Sequence, residues 1–516
     1  MSRPQATDWQ WKTAITPADR RAVLWSFCLY LVVLFPLFIA DRYNVDDWGR
    51  AVLGYYNWAH DGRPLSDSLM QLVDNGRPFT DCSPLPQLLA VLCLCLAGVA
   101  AAKSFELESP LLIGTAALTL GANPFYLANL SFKFDALPMS LALLFAICAA
   151  LNLPAYRKRP IWAAVLGIIF LFACLSFYQP CFNAFLVITL FEIAQAQRQL
   201  AGPAKIGRFL GLRIVQALAA LLLYNFLVAG HLVGEYALEH AGLIGPQAAG
   251  GIWHNLVASW SFIFLAGSSH MRWPLIILPG LALLVSVWFG LRYIYVQWRV
   301  SLKTGLLSVG ITLAVAVGFV FAVGGVLLLV QSPTGGARTY VGFSVLLLAS
   351  IYYLIGGLQF LRVHRFFALA LSFLAVFPLA SFTATYANAM KTQKDYEAHI
   401  ANLIGDDLVQ LQPTEAWKHL TLLGDVGFAP GMKATYFRKY PVLAALIPID
   451  LRSDASGGFG NTVLKFHGTN LDKYSRTEDR NAVAQQVNSN NLLRAAPYYE
   501  IYAIGGDLVI RLKSNF

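Results

Sequence analysis

Six carboxylates fall within the short segment 42–84: Asp46, Asp47, Asp61, Asp67, Asp74 and Asp81. The far longer stretch 85–384 holds only six more: Glu106, Glu108, Asp135, Glu192, Glu235 and Glu239. Chemistry that needs an acid therefore has its acids in one place. Asp46 and Asp47 are adjacent, and either is a candidate general base on a substrate hydroxyl, given hydrogen-bond reach of the proton. Both open an expected helix over 48–60, where the helix dipole stabilises negative charge. Capping needs only one carboxylate, so one of the pair is free for another task. Arg50, one turn on, can pair with an acid or grip a phosphate bidentately. Arg63 and Arg77 each stand in a Gly-Arg-Pro tripeptide. They are further phosphate candidates, although turn geometry alone also accounts for glycine and proline there.

Three more polar sites sit at expected span boundaries. Lys133 and Asp135 occur in Ser131–Pro138, where ions are costly unless paired and therefore mark function by default. At i, i+2 they also read as an ordinary interfacial pair. Tyr178 and Gln179 occupy the tight turn Ser176–Pro180. Arg338 is the sole charge between Lys303 and Arg362, placed either to hold a lipid phosphate or to snorkel. Trp48 and Tyr340 complete the candidate substrate contacts with Asp135, Tyr178 and Gln179. His231, His240, His254 and His270 follow no metal-ligand spacing, so no metal site is expected.

These residues need elements to hold them, and the composition says which kind. Of 516 residues, 57% are hydrophobic and 13% charged, against roughly a quarter charged in a soluble domain. Mean hydropathy is +0.56. That excludes an ordinary soluble enzyme, a disordered chain and a disulfide scaffold. The net charge of +10 forms no stripe of the nucleic-acid kind. The expected class is a polytopic α-helical membrane protein with a C-terminal α/β domain. Eleven spans are expected near 23–41, 85–101, 111–128, 136–152, 161–177, 180–195, 212–230, 274–291, 304–330, 341–360 and 366–384, each about long enough to cross a bilayer.

Basic residues favour alternate connections: Arg157–Arg159, Arg198 to Arg213, Arg292 to Lys303, and Arg362 with Arg365. The intervening segments carry only Arg272 and Arg338. By the positive-inside rule the N-terminus is cytoplasmic, and an odd span count leaves residues 385–516 outside. The domains expected are thus 1–384, with the acidic loop 42–84, and 385–516. In the tail, Leu420–Leu423 and the alternating run Tyr499–Lys513 read as strands. The seven cysteines mostly lie in apolar runs, and a Cys82–Cys181 bridge is an unfavoured option.

The run Asn44–Ala51 (Asn-Val-Asp-Asp-Trp-Gly-Arg-Ala), continued by Asp61-Gly-Arg-Pro-Leu65, resembles the Gtr-type O-antigen glucosyltransferases, within the C-type glycosyltransferases. Phe132–Asp135, Ser176–Gln179 and Tyr386–Gln393 are similar to stretches of that family. The resemblance implies transfer of glucose or a related hexose from undecaprenyl-phosphate-sugar to an O-antigen or other surface-glycan hydroxyl. It places the reaction on the periplasmic face of a bacterial inner membrane. A donor-synthesising transferase and a flippase would serve the same pathway. Asp46 or Asp47 would deprotonate the acceptor, while Arg50, Lys133 and Arg338, with Arg63, meet the lipid phosphate. A single inverting displacement would need no cofactor or metal, since the lipid phosphate is the leaving group. The rival readings are a lipid-linked glycan transporter or flippase, and an O-antigen ligase or polymerase. Transporters place ions near mid-membrane between internal repeats, and neither feature is evident.

Overall fold

A computed structural model describes residues 15–151, 160–231, 242, 249–333, 336–411, 419–453, 459–469, 480–505 and 507–514. Among these, seven helices are long and apolar enough to cross a membrane: Pro17–Ala40, Leu85–Ser104, Pro203–His231, Trp273–Trp298, Leu302–Ala322, Val341–Phe360 and Arg365–Leu411. The count is eight if the bent pair Pro110–Gly121 and Pro124–Leu130 is one span. Outward-facing Leu24, Val32, Phe35, Leu222, Phe226, Leu284 and Phe373 are exposed, as helices solvated by lipid require. Val341–Phe360 is the most enclosed of the seven.

The expected eleven spans meet the structure unevenly. Ala136–Ala150 and Ile161–Phe177 are apolar but shorter, and Phe182–Arg198 buries Glu192 and Arg198. The run 304–330 gives a helix only to Ala322 before a 3-10 turn over Gly325–Leu329. Conversely, the segment 231–273, expected as a loop, contains the apolar helix Ala249–Ala266. His240 lies outside the described residues.

The break inside 111–128 has a local cause. The two helices meet at 77° across Gly121–Pro124. Asn123 satisfies both ends: its Oδ1 accepts from the backbone N–H groups of Phe125 and Tyr126, and its Nδ2 donates to the Thr119 and Leu120 carbonyls. Proline at the next position suits a helix start. A backbone break at membrane depth survives only when protein satisfies its polar groups, and Ser344 supplies one more donor to Asn123. The bend matters because it delivers the turn Ser131–Asp135 to the 42–84 loop.

The C-terminal region carries a four-stranded sheet of β1 (His419–Leu423), β2 (Leu492–Ala495), β3 (Tyr499–Ile504) and β4 (Asp507–Leu512), in the order β1-β4-β3-β2. β1 runs parallel to β4, and the other pairs are antiparallel. Both expected strand segments are present. The 47-residue helix Arg365–Leu411 runs unbroken from the bundle into this region, where Ile400, Ile404 and Leu408 pack on Leu422, Ile501 and Ile510. All seven cysteines are free thiols. Buried Cys181 donates to the Met139 carbonyl, so the Cys82–Cys181 bridge is not formed.

Candidate functional site

The expected helix over 48–60 is shorter and starts earlier, at Asp46–Leu53. Gly54 ends it with φ +65, a left-handed cap that glycine adopts at least cost. The chain then folds back, and the Phe79 N–H donates to the Gly54 carbonyl at 2.9 Å. Tyr56, Trp58, Met70, Phe79 and Phe134 form a small core beneath the loop. Phe79 and Phe134 meet edge to face, 4.7 Å between ring centroids.

Asp135 is the centre of a buried knot. Its Oδ2 accepts from Arg50 Nη1 at 2.8 Å; its Oδ1 accepts from Trp58 Nε1 at 2.8 Å and Arg63 Nη1 at 3.0 Å. Burial pushes the Asp135 carboxyl up, but Arg50, Arg63 and the Trp58 N–H outweigh it and hold the group below its ordinary range. The Arg50 guanidinium also stacks 4.1 Å from the Trp58 ring centroid, and Arg63 lies over Tyr178.

The two adjacent acids have separate surroundings. Asp47 is wholly buried, and its Oδ2 accepts from the Lys133 N–H at 2.9 Å and the Asn44 N–H at 3.2 Å. Burial and the nearby Asp135 charge raise its carboxyl well above the ordinary range, against the pull of those N–H groups and Arg50. Asp46 keeps 35% of its side chain exposed and faces Arg338 Nη1 at 3.7 Å. Arg338 in turn lies over the Phe132 ring, and its carbonyl accepts from Tyr178 OH and Asn129 Nδ2. Asp61 stands close by. Burial raises its carboxyl, Arg63 opposes that, and Asp46 adds to it.

Lys133 has different carboxylate partners from Arg338. Its Nζ pairs with Asp41 and with Asp81 at 3.2 Å and sits 4.1 Å from the Tyr43 ring centroid. Gln179 bridges elements: its Nε2 donates to the Gly62 carbonyl and to Tyr224 OH. Tyr340 is buried and stacked on Phe262.

Trp48, expected as a substrate contact, docks the C-terminal region. Its Nε1 donates to Asp450 Oδ2 at 3.0 Å, and its ring packs on Phe466. A buried indole needs an acceptor, and Asp450 provides one. The structure thus gathers Asp46, Arg338, Arg63, Asp135, Arg50, Tyr178 and Gln179 around one end of the bundle. Lys133 faces a neighbouring cavity, and Trp48 and Tyr340 are packed into cores. Sequence reasoning missed Trp58, although it stands in the same 42–84 loop, and it missed Arg42, Glu397 and Asp450. Arg42 Nη2 reaches Asp450 at 2.8 Å and Glu397 at 3.2 Å. Among the described residues, no group of three or more His, Cys, Asp or Glu is placed to hold a metal ion.

A bundle of long apolar helices with a charged, partly buried cluster at one end defines a polytopic helical membrane protein. The family described as Glucosyl transferase GtrII matches residues 35–349, and the chain belongs to it. That span includes the whole acidic loop, the Ser131–Asp135 turn and Arg338. The chain is also 25% identical over 435 residues to a protein of Salmonella phage P22 described as an uncharacterized 55.3 kDa protein in the gtrB 5' region. The match covers 83% of this chain and 86% of the relative. No solved structure matches the chain.

Proposed function

We propose that this membrane glucosyltransferase moves glucose, or a related hexose, from undecaprenyl-phosphate-sugar to a hydroxyl of O-antigen or another surface glycan, on the periplasmic face. Asp46 is the base. The observation that carries this assignment is the contrast within the pair: Asp46 is partly exposed beside Arg338, whereas both backbone contacts of Asp47 are internal. The acceptor O–H proton passes to the Asp46 carboxylate as the acceptor oxygen bonds the anomeric carbon. The bond from that carbon to the phosphate oxygen breaks, and its electron pair leaves with the lipid phosphate. A single displacement of this kind inverts the anomeric centre. Arg338 and Lys133 supply positive charge to the departing phosphate, an electrostatic role that often dominates catalysis. Arg50 and Arg63 are committed to Asp135 and act by holding the loop. The chain itself brings no cofactor to the reaction; the donor arrives through a separate synthesising transferase and a flippase.

The test is linkage analysis and mass spectrometry of the surface glycan in cells with wild type, Asp46→Asn or no copy of the chain. Added hexose with wild type alone is the expected result. Full modification by Asp46→Asn removes Asp46 from the mechanism.

A further inference from the structure

A polar cavity of about 280 Å³ opens where the Pro17–Ala40, Leu85–Ser104 and Arg365–Leu411 helices approach the Ser131–Asp135 turn. Leu37 and Met390 line its apolar side, and Arg42, Lys133, Ser131 and Gln87 its polar side. Arg42 follows directly on the span that ends at Ala40, so the cavity lies at a membrane boundary. The Arg42 side chain is 1% exposed. Its Nη2 is shared by Glu397, Asp450 and the Pro448 carbonyl, yet its Nε and Nη1 are buried without a hydrogen-bond partner among the described residues. Buried donors left unsatisfied are costly, and native structures rarely keep them without a reason. Arg42 lines the cavity wall and carries two such donors, which an acceptor-rich ligand drawn against that wall would satisfy. Lys133 adds an ammonium with three N–H donors, of which Asp41 and Asp81 take two. The Asp41 carboxylate is 61% exposed, so an incoming anion can replace it beside Lys133 at small cost.

We infer that this cavity binds the phosphate group of a lipid-linked sugar, with Arg42 and Lys133 as its ligands and Leu37 and Met390 against the first part of the lipid chain. The inference rests on the lipid-phosphate donor reading and extends it to Arg42, which stands at the start of the 42–84 loop and was not among the residues expected to meet the phosphate. It also gives the C-terminal region a task. Asp450 and Glu397 fix Arg42 through one nitrogen and leave the other two for the ligand.

The experiment uses the purified full-length chain in nanodiscs, with farnesyl phosphate, farnesol and inorganic phosphate as probes and native mass spectrometry as the readout. Farnesyl phosphate should bind, and Arg42→Gln should weaken it about tenfold or more, the scale of hydrogen bonds to a charged group. Because Arg42→Gln also disturbs the Asp450 and Glu397 pairs, Met390→Trp is the second variant; it fills the cavity from its apolar side and leaves every ion pair in place. It should weaken farnesyl phosphate comparably. Unchanged binding in Met390→Trp, or farnesol binding as tightly as farnesyl phosphate, overturns the site. Inorganic phosphate binding as tightly as farnesyl phosphate overturns the assignment to a lipid. Asp46→Asn should bind farnesyl phosphate like wild type and fail in transfer, which separates failure of this site from failure of the proposed reaction.

Discussion

Two charged regions lie side by side at the end of this bundle, and they are built on opposite rules. Around Asp135 one buried carboxylate is held by three donors within hydrogen-bond distance: two guanidinium groups and an indole N–H. Around Asp46 the carboxylate is partly open and its cation stands 3.7 Å away, beyond a normal hydrogen bond. A buried, tightly hydrogen-bonded ion cluster cannot exchange partners cheaply, because an ion without its mate faces the desolvation cost. A loose, half-solvated pair can. The first region is suited to hold the loop on the bundle, and the second to accept and release a proton.

Asp135→Ala should be the most damaging change. It leaves Arg50 and Arg63 buried without their anion, and losing one partner of a buried pair costs about 3–5 kcal/mol. Thermal denaturation in detergent should show a lower Tm, and glycan modification should vanish with it. A variant with wild-type Tm would mean that the knot does not hold the loop. Asp46→Asn should instead lower transfer by about 10²–10⁴-fold, the usual worth of a positioned base, with Tm unchanged. A lowered Tm there would erase the contrast between the two regions.

Next in size is the docking of the C-terminal region onto Arg42 and Trp48. Trp48→Phe removes the N–H donated to Asp450, a hydrogen bond to a charged group worth about 1.5–3 kcal/mol. Limited proteolysis should then cut the C-terminal region faster. The same contact is pH-dependent. Burial raises the Glu397 carboxyl from 4.5 to about 7; Arg42 opposes the shift and Asp450 adds to it. Between those values the docked form holds a proton that the released form has lost, so docking weakens as pH rises from 4.5 to 7 and is level above. Glu397→Gln should flatten that slope in a proteolysis series across pH; an unchanged slope assigns it to another group.

The membrane-helical class was legible because length and hydropathy are local properties of a membrane helix. The count of eleven was not, since seven or eight described helices are long and apolar enough. The break at Gly121–Pro124 was not, although Asn-Pro stands in plain view, because an average over the run 111–128 hides a single capping residue. The acidic loop and the boundary ions Lys133 and Asp135 were legible as expensive residues that must be there for a reason. Their pairing was not: Lys133 and Asp135 are neighbours in sequence, yet they serve different partners, Asp81 and Arg50. Trp48 and Arg42 were beyond reach for the same cause. Their acceptor, Asp450, lies 402 and 408 residues away, and only tertiary packing brings it back. Nothing in the Asp46-Asp47 dipeptide says which acid turns inward; that is decided by where the Lys133 N–H falls.

That inward turn makes Asp47→Asn the smallest effect and the sharpest test of the comparison. Asp47 Oδ2 accepts two backbone N–H groups, while its Oδ1 is buried without a partner. Burial and Asp135 push its carboxyl up, towards the neutral form. An asparagine oxygen can accept both N–H groups, and its amide takes the volume of Oδ1 without bringing a charge into the protein. Asp47→Asn should therefore cost less than about tenfold in transfer, within one hydrogen bond of wild type. Asp47→Leu, which keeps the bulk but accepts nothing, leaves the Lys133 and Asn44 N–H groups unpaired and should lower both Tm and transfer. The pair of variants measures a positioning residue, since restoring the acceptor should restore activity. If Asp47→Asn instead falls as far as Asp46→Asn with an unchanged Tm, proton transfer runs through the buried acid, and the partly open pair at Asp46 and Arg338 is the support.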